Sequence, residues 1–418
     1  MKKTILFLII FFLLIGTFTG FYMVKEKEKK QNEKEMHENV QKKQEELIKE
    51  IKKHYHTYVK TNKKASLYII KNKKYQKIGT VKEDMQYVLE EIPHITEKNA
   101  YFKIKDMEYY IAYQDVDKIE TYIEGNQDYK NYIPFKESVV TKTTKLYQGD
   151  ALVYDLNISI TAPILVKDNT YRYIAYHNDL YYVKEEDIEK TISNESTGEL
   201  ATKMAVLNYH FFFEDGDKKC NEIMCIPRSQ FEKEMGYLSE NGYYAVSMKE
   251  FEWFLDKKVQ LPKKSVLITI DDGAYGTTDV LPSVLAKYKM KATLFLITSV
   301  RNPANYQFPY LELHSHSHNL HNTGVCSGGQ GGGIKCLAEE KVLEDLKTSR
   351  ELLNGATAFA YPFYEYNTRA MTLLKKAGFT VAFIGTNKKA TPGMDKMLIP
   401  RYAIVNTTSL NDFIKKIS

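Results

Sequence analysis

Hydrophobic and polar positions change rhythm along the chain, and each change marks an expected element. Met1-Lys2-Lys3 precedes an apolar run from Thr4 to Val24. About 20 apolar residues span a bilayer, whereas the core of a cleaved signal is roughly 7–15 residues long. The run therefore predicts a transmembrane anchor over residues 1–24, with secretion as the outcome if it is cleaved. Lys2 and Lys3 favour an inside N-terminus, so a single-pass cell-membrane protein with its C-terminal part outside is expected. Lys25 to about Lys60 is dense in Lys, Glu and Gln with a thin apolar stripe, the pattern of a solvated helical stalk. From Ala65 to Ile192, short runs of Tyr, Ile, Val and Thr alternate with charged residues, a strand signal that predicts two β-rich modules over 65–122 and 140–192. Tyr110 to Tyr182 and Asp115 to Asp187 share one offset of 72 residues, as two copies of a unit would. After the polar linker Ser193–Gly198 the rhythm alternates between period 2 and period 3.6 to the end. Strands are expected at Met204–His210, Ser265–Ile270, Ala292–Thr298, Tyr310–His314, Thr357–Pro362, Thr380–Ile384 and Leu398–Val405. Helices fall between them at Ser229–Asn241, Thr278–Lys289, Glu339–Asn354 and Arg369–Ala377. This alternation over 200–418 predicts an α/β domain with a parallel sheet, open or barrel, whose chemistry gathers at the C-terminal strand ends.

The net charge of +6 is small and spread along the chain, which argues against a nucleic-acid partner. The 32 tyrosines suit strand packing and carbohydrate surfaces alike. Four cysteines fall in two close pairs, Cys220 with Cys225 and Cys326 with Cys336. In an exported chain such pairs read as disulfides.

Two motifs carry candidate chemistry. Thr269-Ile270-Asp271-Asp272-Gly273 follows an apolar strand, so both carboxylates lie at a strand end, and Gly273 can supply the turn that lets them converge. Leu313-His314-Ser315-His316-Ser317-His318-Asn319-Leu320-His321 places four of the chain's ten histidines within eight residues. Imidazole is the commonest neutral metal ligand at neutral pH.

Together these motifs resemble the polysaccharide deacetylase family, carbohydrate esterase family four, and within it the biofilm poly-N-acetylglucosamine deacetylases. The resemblance implies a distorted (β/α) barrel, Asp271 as catalytic base and Asp272 as metal ligand. Two histidine registers compete, His314 with His318 and His316 with His321. The second is chosen because Glu312 stands four positions before His316 and because Ser-His-Ser-x-x-Leu-His is the biofilm-branch variant. Phe359-Ala360-Tyr361-Pro362-Phe363 resembles the third family motif, which implies the Tyr361 N–H as oxyanion donor and Pro362 and Phe363 at the substrate. Tyr364 replaces the family's usual Gly. Arg401 in Ile399-Pro400-Arg401-Tyr402 resembles the residue that orients the catalytic Asp. The family's late histidine is missing, which leaves His318, His314 or His210 as general acid; His210 is also expected at the substrate. The implied cofactor is a divalent metal, Zn²⁺ first, and the implied substrate is an extracellular amino-sugar polysaccharide, poly-N-acetylglucosamine or peptidoglycan N-acetylglucosamine. A catalytically degenerate glycan-binding protein is the alternative. The repeated ending, an aromatic strand and then Asp-Val or Asp-Ile, is similar to bacterial SH3-like domains and implies contact with the cell wall, beside membrane contact through the N-terminal helix.

Overall fold

The computed structural model describes residues 2–54, 57–90, 93–96, 99–125, 127–217, 219 and 222–418, with the helical backbone alone over 2–22 and 52–54. Helix α1 runs Lys2–His54. Its exposed part is laced by Glu26–Lys30 and Lys34–Glu38 pairs one turn apart, each adding a few tenths of a kcal/mol, about 0.3, to helix stability. The expected stalk thus stops at His54, and a strand begins at Tyr58. The expected anchor over 1–24 lies almost wholly outside the residues whose side chains are described. Among the described residues, no helix is long and apolar enough to cross a membrane.

Contacts divide the chain into two units, 1–125 with 141–160 and 176–183, and 126–140 with 161–175 and 184–418. In the first, Tyr58–Thr61 pairs with Gln86–Val88 and Val116–Lys118, and Ala65–Lys71 pairs with Lys74–Val81 and Tyr110–Ala112. The same pairings recur further along the chain. Glu137–Thr141 lies between Thr161–Pro163 and Ile188–Ser193, and Thr144–Gln148 pairs with Ala151–Leu156 and, through Tyr147, with Tyr182. The residues that share the 72-residue offset occupy equivalent places. Asp115 and Asp187 each close a 3-10 turn, Tyr113–Asp115 and Glu185–Asp187, and each is buried. Much of the tyrosine excess is packing here: the Tyr75 and Tyr101 rings stack at 4.0 Å, and the buried Tyr87 and Tyr154 hydroxyls meet at 3.0 Å.

In the second unit nine strands form a nearly closed parallel sheet. Eight lie in one path: β1 (Ala205–Tyr209), β2 (Ser265–Ile270), β3 (Ala292–Leu296), β4 (Leu311–Ser315), β5 (Ala358–Ala360), β6 (Val381–Ile384), β7 (Ile399–Pro400) and β8 (Tyr402–Ala403); the ninth, Tyr244–Ala245, lies beside β2. The eight run in the order β7-β6-β5-β4-β3-β2-β1-β8. The expected single strand Leu398–Val405 is two strands, split at Arg401. β7 pairs with β6 and β8 with β1, at opposite ends of the sheet. Every residue of β2 is buried, as a parallel strand covered on both faces requires. Helices cover the outside: α2 (Arg228–Glu240), α4 (Val280–Tyr288) and α7 (Leu410–Ile417) through Phe231, Leu238, Val284, Leu285 and Phe413. α5 (Glu339–Leu352) and α6 (Thr368–Ala377) do so through Val342, Leu346, Leu373 and Leu374. Each such fully buried side chain contributes roughly 1.5–3 kcal/mol. Helix α3 (Met248–Leu255) opens with a capping box, Ser247 and Glu250 satisfying each other's backbone N–H.

Candidate active site

The site sits at the C-terminal ends of β1, β2, β4 and β5. Asp271 follows β2 and is 2% exposed. Its carboxylate accepts two parallel bonds from Arg401, both 2.7 Å, and Arg401 is fully buried at the break between β7 and β8. Arg401 also donates to the Thr269 hydroxyl and lies against the Phe295, Tyr364 and Phe383 rings. Such a planar fork suits a carboxylate and a buried aromatic box better than a lysine would. Burial alone would raise the Asp271 pKa; the Arg401 charge outweighs it, helped by His316, and holds the carboxyl below the usual carboxylate range.

The chain then turns through two left-handed residues, Asp272 (φ 73°) and Gly273 (φ 68°). A Cβ on Gly273 would come within 2.3 Å of Leu296, so only glycine fits. The turn aims Asp272 away from Asp271 and toward two histidines. Asp272 Oδ1 is 3.3 Å from His316 Nε2 and 3.5 Å from His321 Nε2. The loop after β4 is held by side chains that receive its backbone N–H groups. Ser315 Oγ accepts from Ser317, Ser317 Oγ from Leu320, and the Asp345 carboxylate from His318 and Asn319. This wrap brings His321 back beside His316, ring centroids 4.7 Å apart.

The His316 Nδ1 lies 2.8 Å from the Ala360 carbonyl, which fixes that nitrogen as a donor and turns Nε2 toward Asp272. Asp272 Oδ1 is buried without a hydrogen-bond partner. Burial would lower the His316 pKa, but the Asp271 and Asp272 charges outweigh it and raise it, so either a proton on His316 or a cation among the three side chains can balance the buried carboxylate. Asp272, His316 and His321 are the set whose ligand atoms converge for a metal ion among the described residues, and two imidazoles with one carboxylate suit a divalent cation such as Zn²⁺.

His314 and His318, the competing register, stand apart from this set. His314 accepts the Ala358 N–H, and burial pushes its pKa down to about 4. His318 bonds the Thr298 hydroxyl at 3.0 Å. His210, after β1, is mostly buried with Nε2 3.9 Å from Asp271 Oδ2, and burial lowers its pKa.

The third motif needs a correction. The Tyr361 N–H, expected as the oxyanion donor, is already donated to the Phe383 carbonyl at 3.2 Å, as the strand ladder demands. Beyond Pro362, Phe363 and Tyr364 both adopt left-handed backbone (φ 58° and 57°). For non-glycine residues this costs roughly 1–2 kcal/mol each. The Phe363 N–H has no protein partner among the described residues, and its ring lies 4.2 Å from that of His321. Tyr364, in the family's glycine position, takes a glycine-like φ, covers the Arg401 guanidinium and donates its hydroxyl to Asn208 at 2.5 Å. Sequence reasoning missed Asn208, Phe295 and Phe383 as the housing of Arg401. The Cys326–Cys336 disulfide is formed; Cys220 lies outside the described residues.

Strand-end carboxylates facing two histidines on a nearly closed parallel sheet are a hydrolytic type of site, and the sequence comparisons specify it. The profile of the polysaccharide deacetylase family matches residues 258–382, the stretch from before β2 into β6. The chain carries a polysaccharide deacetylase domain and is an enzyme of that class. It is similar to the poly-beta-1,6-N-acetyl-D-glucosamine N-deacetylase of Staphylococcus aureus, 28% identical over 222 residues that cover 48% of this chain and 75% of the relative. The Staphylococcus epidermidis protein of the same name is 27% identical over 197 residues, covering 42% and 67%. Among solved structures, a Streptococcus pyogenes deacetylase in complex with acetate aligns with TM-score 0.45 at 18% identity, covering 52% of this chain and 99% of that one. A polysaccharide deacetylase from Bacillus cereus aligns with TM-score 0.43 at 18% identity, covering 79% and 99%.

Proposed function

We propose that this chain hydrolyses N-acetyl groups of an extracellular amino-sugar polysaccharide, with poly-N-acetylglucosamine ahead of peptidoglycan N-acetylglucosamine as substrate. One observation carries the reading: the unpartnered Asp272 oxygen faces His316 and His321 directly beside an Asp271 that Arg401 keeps ionised. A divalent cation, Zn²⁺ by its donor set, held by Asp272, His316 and His321 would polarise the acetyl carbonyl and acidify the attacking water. Asp271 accepts the proton of that water, its geometry fixed by the Arg401 fork. The unpaired Phe363 N–H, rather than that of Tyr361, donates to the oxygen on which negative charge develops. His210, neutral because burial lowers its pKa and 3.9 Å from Asp271, would take on the proton that Asp271 removes from the water and pass it to the leaving amine. Pro362 and Phe363 form the wall against which the acetyl group lies. The duplicated segments over 65–122 and 140–192 act as SH3-like modules facing the cell wall, and residues 1–24 as a membrane anchor; the family resemblance and the apolar run support both roles.

The test is acetate release from β-1,6-linked N-acetylglucosamine oligomers and from peptidoglycan. Release should vanish with a chelator, return with Zn²⁺, and fall by about 10²–10⁴ in Asp271→Asn. Zn²⁺-independent release, or an active Asp271→Asn protein, would sink the mechanism. Release from peptidoglycan alone would reverse the choice of substrate.

A further inference from the structure

A glycine-rich loop closed by the Cys326–Cys336 disulfide lies beside the site, and one carboxylate binds it there. Glu365 Oε1 accepts from the Gln330 and Gly331 N–H groups, and Oε2 accepts from the Gly332 N–H at 3.0 Å and pairs with Lys335 at 2.9 Å. Successive backbone N–H groups curled around an anion form a nest. Here the anion is the chain's own side chain, only 12% exposed. The loop is shaped for it. Gly329 and Gly331 are left-handed (φ 62° and 82°), a Cβ on Gly329 would lie 1.9 Å from Glu365 Oε1, and one on Gly331 would lie 2.6 Å from the Cys326 carbonyl.

The loop touches both walls of the site. A Cβ on Gly332 would meet the Phe363 ring at 3.2 Å, so ring and loop already lie close. The Gly333 N–H bonds the Leu320 carbonyl, next to His321, and Ile334 and Leu320 are buried in one cluster with Tyr361. Glu365 directly follows the two left-handed residues Phe363 and Tyr364. Strained backbone persists only where its surroundings over-determine it, and Glu365 ties this turn to the loop through three N–H groups and Lys335.

We infer that Glu365 is a positioning residue, which by anchoring in the disulfide-closed loop holds Phe363 against His321 and aims the Phe363 N–H into the site. The inference rests on the proposed role of that N–H. It also makes this loop a replacement for the missing family glycine, since the turn that glycine would adopt freely is enforced here from outside.

The experiment compares the full wild-type chain with Glu365→Gln and Gly329→Ala. Gln keeps the size of the side chain but turns an amide toward N–H donors; Ala displaces Glu365 without touching its charge. Both variants should lose about tenfold in kcat with KM unchanged, the range seen when outer-shell support is removed. Hydrogen exchange at Tyr364 and Glu365, whose N–H groups bond the Tyr361 and Pro362 carbonyls, should speed up in the metal-free protein. Melting temperature should stay within about 2 °C of wild type. Unchanged kcat and unchanged exchange in folded Glu365→Gln would overturn the inference. If that variant does not fold, Lys335→Ala weakens the same nest from its exposed side. Slower turnover with faster exchange in Lys335→Ala would then support the inference, and no change in either would overturn it. A wild-type chain that releases no acetate would defeat the proposed function, and exchange at Tyr364 and Glu365 would then decide the positioning role alone.

Discussion

The two adjacent carboxylates of the site live in opposite conditions. Asp271 is complete: both oxygens bond Arg401, which is boxed by Thr269 and three aromatic rings. Asp272, one residue later, has an oxygen buried with no hydrogen-bond partner and two imidazoles turned toward it. A left-handed turn separates a carboxylate whose two oxygens are both bonded from one with an oxygen left unbonded. The first side is organised by the protein's own charges. The second gathers a carboxylate and two imidazoles whose ligand atoms converge, so burial serves orientation on one side and suits cation binding on the other.

The largest blow to that contrast is Arg401→Met, which strands the buried Asp271 charge. Loss of about 3–5 kcal/mol of stability is expected, measured by denaturant unfolding, because removing one partner of a buried pair leaves the other uncompensated. A variant as stable as wild type would show that Asp271 is not self-sufficient but neutralised elsewhere. A third carboxylate behind the complete side sharpens the point. Glu234 on α2 is buried, bonded to the Tyr209 hydroxyl and Gln230, and burial raises its pKa from 4.5 to about 7. The native state keeps this proton where the unfolded chain has released it. The stabilisation is therefore fully present below pH 4.5 and declines as pH rises to about 7, by about 3 kcal/mol in all. Glu234→Gln should flatten that slope in a melting-temperature series; an equally steep variant would place the titration elsewhere. On the Asp272 side, Zn²⁺ at a hundredfold excess over its Kd should stabilise the chain by about 2.7 kcal/mol. His316→Ala should remove the effect, and its persistence in that variant would move the metal site. The smallest effect is expected for Tyr364→Phe, about 1 kcal/mol for the lost bond to Asn208. A much larger loss would mean that this hydroxyl, not the nest around Glu365, secures the turn.

Most of the barrel is legible in the sequence because its strands are buried on both faces and its helices amphipathic. Ser265–Ile270 is a strand over the residues its apolar run predicts. The pair that meets Asp272, His316 with His321, is the one of two registers allowed by spacing that the family resemblance implies. Other features leave a weaker trace or none. Leu398–Val405 looks like one strand because alternation reports burial, not partners, and its two halves pair with opposite ends of the sheet. Helix α3 is short, and its capping signature, Ser247-x-x-Glu250, is the one signal that could have found it. The third motif points to Tyr361 as oxyanion donor because its resemblance to the family motif implies the N–H of a tyrosine. Only the ladder shows which N–H is committed, and left-handed conformations at Phe363 and Tyr364 are not written in residues that usually avoid them.

Arg401 stands at the junction of β7 and β8, the strands that bring the two ends of the sheet together. Wall closure and the fork on Asp271 therefore occur in one stretch of chain, and that stretch follows every other strand of the sheet in sequence. A nascent polypeptide that has not yet threaded this segment into place has its Asp271 without a guanidinium. Folding that proceeds from the N-terminal side during synthesis thus delays catalytic competence until the barrel is shut, and a chain abandoned by the ribosome before that point is silent rather than partly active.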